Sequence, residues 1–262
     1  MPSKKGLKIK SLFNEGNYKN YMELIKAAGM PYWTKQSTYT LEICCENFIH
    51  IQFMQNLMSI RAFIANQMIK KDIKLNSLVP PEINFELINY YKFSLPEKLK
   101  KAGNTIYNID IKSAYANVLM NNNIISQKTF NYMKTLAKKD RLACIGMLAG
   151  KKHIFSYDNT GELISFEKEV NELANFFFFC ELKTGEIMEH IKFILGADFL
   201  FYWVDGIYFE NKNHREEIEN YLRSINYAYS FEELIDFRFT EQSRNYNIYY
   251  NKPDGSLKKF TV

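Results

Sequence analysis

The stretch FLFYWVDGIYFEN, residues 199–211, decides how the rest of the chain is read. Two runs of aromatic and branched apolar residues, which favour strands, flank Asp205 and Gly206. Asp-Gly between such runs is a strong hairpin signal, because both residues tolerate the positive φ of a tight turn. A carboxylate at a hairpin tip has two uses. The turn itself can require it, or the hairpin can be a rigid mount for a metal ligand.

Asp110 gives the second use weight. TIYNIDI alternates like a strand, and Asp110 stands near its end. Each acid alone is an ordinary turn or strand-end residue. On neighbouring strands of one sheet, the two could hold a pair of divalent cations, the arrangement that activates a hydroxyl and stabilises the leaving oxygen in phosphoryl transfer.

Composition sets outer limits. The 262 residues suffice for one large domain, or for a core domain with an appendage, and 47% hydrophobic with 24% charged residues is ordinary globular usage. The net charge of +5 is compatible with a nucleic-acid partner, although clustering matters more than the total. The four cysteines show no C-x-x-C spacing and no paired histidines, which argues against zinc and for a reduced, cytoplasmic setting. Vicinal Cys44 and Cys45 are expected on different faces of a buried helix. The basic start MPSKKGLKIK lacks the apolar stretch of a secretory signal, and runs such as NFFFFC are too short to span a bilayer, so no membrane role is expected.

Residues 1–95 read as a helical N-terminal region. LEICCENFIHIQFMQNLMSIRAFIANQMIKK is its long apolar-periodic stretch, closed near Pro80 and Pro81. From residue 96 to 262, strands and helices alternate without a regular βαβ beat. SAYANVLMNN reads as a helix after TIYNIDI, and QKTFNYMKTLAKKDRLACIGMLAG as one longer basic helix. KKHIFSYDNTGELISF is a hairpin, and EKEVNELANFFFFCELKTGEIMEHIKFILG a helix that Gly185 could interrupt. HREEIENYLRSINYAY is a further helix, and LIDFRFTEQ and NYNIYYNKPDGSLKKFTV are closing strands. An antiparallel sheet with helices on one face, an α+β fold, fits this order.

Asp110 opens D-I-K-S-A-Y-A-N, which resembles the first palm motif of family B DNA polymerases, Asp-x-x-Ser-Leu-Tyr-Pro-Ser. Asp110, Ser113 and Tyr115 match. Ala114, Ala116 and Asn117 depart. Asp205-Gly206-Ile207-Tyr208 is similar to the end of the third motif, Tyr-x-Asp-Thr-Asp-Ser-Ile-Tyr, with Trp203 in place of its first Asp. Arg141 falls on the Lys of the fingers motif, Lys-x-x-x-Asn-Ser-x-Tyr-Gly, whose later positions here are Ile145, Gly146, Leu148 and Ala149. Arg244 and Tyr246 stand for the Lys-x-Tyr strand that contacts the primer.

The resemblance covers about the last 160 residues in motif order. It implies a palm-like sheet with a short helical fingers insertion at about residues 117–150, and neither an exonuclease nor a full thumb. Carried over, Asp110, the Ile111 carbonyl and Asp205 would bind two Mg²⁺ ions, with Mn²⁺ as the alternative. Tyr115 would exclude a ribose 2′-hydroxyl. Lys134, Lys138 and Arg141, recurring at helical spacing, would share a face toward the triphosphate, and Arg244 with Tyr246 would hold the primer.

The expected activity is that of a minimal template-directed DNA polymerase, virus-encoded or from another mobile element. It would act on template-primer DNA and dNTPs, with a protein partner for processivity or priming. Three alternatives stand beside it. One is a degenerate palm that binds DNA without catalysis. Another is a primase-like or reverse-transcriptase-like nucleotidyltransferase. The third is an unrelated α+β protein with an Asp-Gly hairpin.

Overall fold

The chain passes twice through each of two compact units: Met1–Pro81 with Gln127–Phe177, and Glu82–Ser126 with Phe178–Val262. This division does not follow the expected one at residues 95 and 96. The computed structural model describes residues 7–12, 15–37, 40–46, 48–53, 60–242 and 245–261. Most of the basic N-terminal stretch, residues 1–6, lies outside them.

The first pass contains β1 (Leu7–Leu12), α1 (Glu15–Ala27), β2 (Tyr32–Gln36), β3 (Thr40–Cys45), β4 (Phe48–Phe53) and α2 (Ile60–Leu75). The chain then forms β5 (Tyr91–Phe93), α3 (Pro96–Lys101), β6 (Ile106–Ile111) and α4 (Ala114–Asn121) in the second unit. It returns to the first unit for α5 (Gln127–Lys134), α6 (Lys138–Gly146), β7 (Lys151–Tyr157) and β8 (Leu163–Val170). The rest is α7 (Ala174–Leu195), β9 (Phe199–Trp203), β10 (Gly206–Phe209), α8 (Arg215–Ser224), β11 (Tyr229–Gln242), β12 (Asn245–Asn251) and β13 (Leu257–Thr261). The class is α+β. Among the described residues no helix is long and apolar enough to cross a membrane.

The first unit holds a six-stranded sheet in the order β1-β4-β3-β2-β7-β8, antiparallel except for the β1–β4 pair. The long helix expected over residues 41–71 is therefore corrected. LEICC and FIHIQF carry β-branched and aromatic residues that suit a pleated surface, and pairing of β3 with β2 and of β4 with β3 and β1 overrides their apolar periodicity. Cys44 and Cys45 do point to opposite faces, but of strand β3, and both are buried. Ile25 of α1 packs on Tyr32, Ile43 and Cys45. On α2, the buried Asn66 amide donates to the Cys144 carbonyl at 2.8 Å, and Asp72 accepts from Thr129 Oγ1 at 2.6 Å, which ties α2 to α6 and α5.

The expected single basic helix breaks into α5 and α6. The Thr135 and Leu136 N–H groups bond three residues back, to Tyr132 and Met133, which tightens and ends the last turn of α5. Arg61 then grips the break, donating to Thr135 O at 3.1 Å and Thr135 Oγ1 at 3.0 Å. EKEV, expected to be helical, instead extends β8. Helix α7 starts after Asn171, whose side chain accepts from the Leu173 N–H at 3.0 Å. Gly185 does not interrupt it. A Cβ there would meet the Asn89 carbonyl oxygen at 3.2 Å, so the glycine serves a close approach.

The second unit is built on a fully antiparallel seven-stranded sheet, β13-β12-β11-β6-β10-β9-β5. The hairpin β9–β10 lies directly beside β6, and β11 flanks β6 on its other side. Strand alternation divides the side chains between two faces. Ile109, Ile111, Ile207 and Phe209 are buried on one face, where Tyr202 donates to Glu189 of α7 at 2.9 Å. Ile106, Phe201, Tyr208, Leu234, Ile248 and Tyr250 form a cluster on the other with Leu99 of α3. Asp110 belongs to this second face, beyond the apolar cluster.

Candidate functional site

Asp110 stands at the end of a buried central strand. Across the ladder it faces Gly206 on β10 and Ser230 on β11. The next residue, Ile111, donates its N–H to the Asp205 carbonyl at 2.8 Å. The backbone thus joins the two aspartates at one end of the sheet, and both side chains are half-buried.

The hairpin tip departs from the sequence expectation. Trp203 pairs with Gly206, so the two loop residues are Val204 and Asp205. Positive φ falls on Val204, at 54°, and on neither Asp205 nor Gly206. A β-branched residue is costly in that region, and the surroundings hold it there. The Val204 N–H donates to the Tyr90 carbonyl at 2.7 Å, while Asp205 is held from the β6 side, so the loop is pinned at both edges. Gly206 has another use. A Cβ at this position would lie 3.4 Å from Asn108 Nδ2 and 3.6 Å from Asp110 Oδ1. Its absence keeps space open beside the Asp110 carboxylate.

Trp203 stacks on Tyr91 with ring centroids 5.3 Å apart. Behind Asp110, the Tyr208 and Tyr250 hydroxyls hydrogen bond to each other at 3.0 Å. Burial pushes the Tyr208 phenol well above its usual range, Tyr250 adds to this, and the Asp110 charge contributes in the same direction.

Tyr115 lies on the first turn of α4, reached from β6 through Ser113 in the left-handed region at φ 53°. Burial pushes its phenol up, the Glu181 carboxylate next, and Asp205 contributes as well. Sequence reasoning missed Glu181 and Tyr90. The Tyr90 hydroxyl donates to Glu181 Oε2 at 2.5 Å, and the Glu181 charge also bears on the Tyr115 phenol. The signal was present: an acid following FFFFC on an apolar helix face needs a partner.

The remaining expected site residues are distributed differently. Lys134, Lys138 and Arg141 belong to the first unit and do not share one helix, since Lys134 ends α5 and Lys138 begins α6. Lys134 sits over the Phe130 ring at 5.3 Å. Arg141 donates to the Leu136 carbonyl at 2.6 Å, so part of its guanidinium braces the corner between the two helices. Tyr246 lies on β12 opposite Glu241. Arg244 lies outside the described residues.

Asp110 and Asp205 carry hard carboxylate oxygens, the donor type that Mg²⁺ and Mn²⁺ prefer. Among the described residues no cluster of three or more His, Cys, Asp or Glu could hold a metal ion. No protein-family model and no curated protein sequence matches the chain.

Proposed function

We propose that the second unit is a polymerase-type palm, and that the chain is a minimal nucleotidyltransferase adding deoxynucleotides to a primer 3′-hydroxyl. One observation carries the reading. Asp110 ends a central strand directly opposite the hairpin residue that follows Asp205, and a helix bearing Tyr115 leaves the same strand.

In this reading Asp110 and Asp205, with the Ile111 carbonyl, hold the divalent cations. When bound, these lower the pKa of the attacking hydroxyl and neutralise charge developing on the phosphate. The chain's own residues do the positioning. The pinned Val204–Asp205 loop fixes one carboxylate, the β6 ladder fixes the other, and Gly206 leaves the approach open. Tyr115 borders the sugar of the incoming nucleotide. Arg244 and Tyr246 are proposed as primer contacts.

A second reading, a DNA-binding palm without catalysis, is favoured by Trp203. The position where the polymerase motif has its first Asp carries an indole stacked on Tyr91. Primer extension with Mg²⁺ or Mn²⁺ separates the two. Incorporation that Asp110→Ala and Asp205→Ala abolish supports the enzyme. Salt-sensitive DNA binding without incorporation supports the scaffold. Comparing dNTP with NTP use tests the deoxynucleotide assignment.

A further inference from the structure

Strand β5 is the last strand of the second sheet, and Tyr91 on it is 52% exposed. A lone exposed tyrosine is ordinary on a protein surface. Tyr91 is not alone. Its ring lies nearly parallel to that of Trp203, at 15° and with 5.3 Å between centroids. Phe93 meets the same indole edge-on at 6.5 Å and stacks on Phe201 at 5.4 Å, and Phe201 stacks on Tyr208 at 4.1 Å. Tyr91 is therefore the outer, exposed ring of a packed aromatic series.

The backbone that carries it is fixed at both ends. The Val204 N–H donates to the Tyr90 carbonyl at 2.7 Å, and the Ser94 N–H donates to the Leu200 carbonyl at 2.8 Å. The Ser94 hydroxyl adds a bond to the Phe199 carbonyl at 2.7 Å. A ring held in this way has little freedom left to lose when another ring stacks on it.

Register lines this ring up with the site. Tyr91 faces Trp203, Trp203 faces Gly206 and Gly206 faces Asp110, so the four stand in one row across the sheet and on one face. Three strand spacings separate Tyr91 from Asp110, about 14 Å. That distance is about four stacked steps of one nucleic-acid strand, at 3.4 Å each. A mononucleotide is too short for it. The ligand that reaches both ends of the row is a strand, and the net charge of +5 has the sign that such a partner requires.

We propose that Tyr91, backed by Trp203, is a stacking platform for an unpaired base of a single-stranded nucleic acid that runs along this row to the Asp110 end. The inference rests on the second unit binding nucleic acid, which both readings above share, and not on catalysis. Every base has a π-face, so the platform is tolerant of sequence. Trp203 gains a use in either reading, since a ring at that position can back Tyr91 and a carboxylate cannot.

The test measures binding of a short oligothymidylate to the full chain, with Mg²⁺ and no dNTP. Tyr91→Ala should weaken single-strand binding roughly tenfold. The salt dependence should stay as in wild type, because an uncharged ring releases no counterions. Tyr91→Phe keeps the ring and should bind as wild type does. An oligonucleotide carrying 5-iododeoxyuridine, irradiated on the wild-type protein, should crosslink to Tyr91, and this readout needs no variant to fold. A loss in Tyr91→Ala that a duplex of the same length shares equally overturns the platform, because paired bases present no free face. Wild-type affinity in a folded Tyr91→Ala, with crosslinks elsewhere, also overturns it. Both of these outcomes leave the nucleic-acid reading standing. A wild-type chain that binds no single strand overturns that reading and the platform together.

Discussion

Asp110 and Gly206 face each other across the β6–β10 ladder, and a methyl group on Gly206 would lie 3.6 Å from the Asp110 carboxylate. The Asp110 carboxylate is thus matched to the smallest possible neighbour. Asp205, beside that neighbour, is tied to β6 by the Ile111 N–H. This pairing is the basis of the first two predictions.

If the two carboxylates hold the cations, removing either removes the chemistry. Asp110→Ala and Asp205→Ala should each lower primer extension by about a thousandfold or more. Both side chains are half-buried at a strand end, so melting temperatures should change little. A gel assay of extension beside thermal unfolding checks both statements.

Gly206→Ala should fold, because its Cβ makes contacts of ordinary van der Waals length. The methyl would nonetheless occupy space beside the Asp110 carboxylate. A rise of roughly tenfold in the metal concentration for half-maximal extension is expected, from a displacement of ligand geometry well under an ångström. Titration of Mg²⁺ against extension rate measures it.

Val204 carries the strain of the hairpin at φ 54°. Glycine at this position adopts the conformation freely but adds entropy to the unfolded chain. The net stabilisation from Val204→Gly should be about 0.5–1 kcal/mol, read from denaturant midpoints. Loss of activity alongside the gain would mean that the strained loop holds Asp205 in its working position.

The Tyr208–Tyr250 hydroxyl pair is buried, with a separation of 3.0 Å. Removing one hydroxyl weakens satisfaction of the other, at about 1–3 kcal/mol. Tyr208→Phe and Tyr250→Phe should therefore each destabilise. The double variant should cost less than their sum, a coupling that a double-mutant cycle in urea detects.

Burial pushes the Cys44 thiol up to about 11 and the Cys144 thiol up to about 12, and raises Cys180 further. A raised thiol pKa means less thiolate, so at pH 8 only about one Cys44 in a thousand is reactive. Alkylation of the folded protein should be slow at pH 8 and accelerate as pH rises toward 11. Unfolding in denaturant should release reactivity at once. Mass spectrometry of alkylated peptides distinguishes these states.

Much of the second unit was legible because its signals are local. The alternation of TIYNIDI gave β6, and the aromatic runs around Asp205 gave the hairpin. The antiparallel strands followed from the order of the elements, but helices lie on both faces rather than one, α7 at Tyr202 and α3 at Phe201 and Tyr208. The hairpin turn was legible in existence and not in geometry. Its positive φ falls on Val204, because pairing of Trp203 with Gly206 shifts the loop by one residue from Asp-Gly. Strands β3 and β4 were hidden by an apolar period that both helix and sheet can satisfy, and their pairing with each other, with β2 and with β1 arbitrated. The basic stretch was read as one helix because Lys134, Lys138 and Arg141 fit helical spacing. At the break between them Thr135 accepts from Arg61, 74 residues away.

By itself the sequence determined the α+β class, the strand that ends near Asp110 and the hairpin that carries Asp205, since local pattern and turn chemistry are written in neighbouring residues. Tertiary structure alone decided that these two strands are adjacent, that Gly206 faces the Asp110 carboxylate, and that Glu181 of α7 takes the Tyr90 hydroxyl. Those facts depend on which distant segments pair and pack. A buried carboxylate such as Glu181 is tolerable only once α7 has met its hydrogen-bond partner.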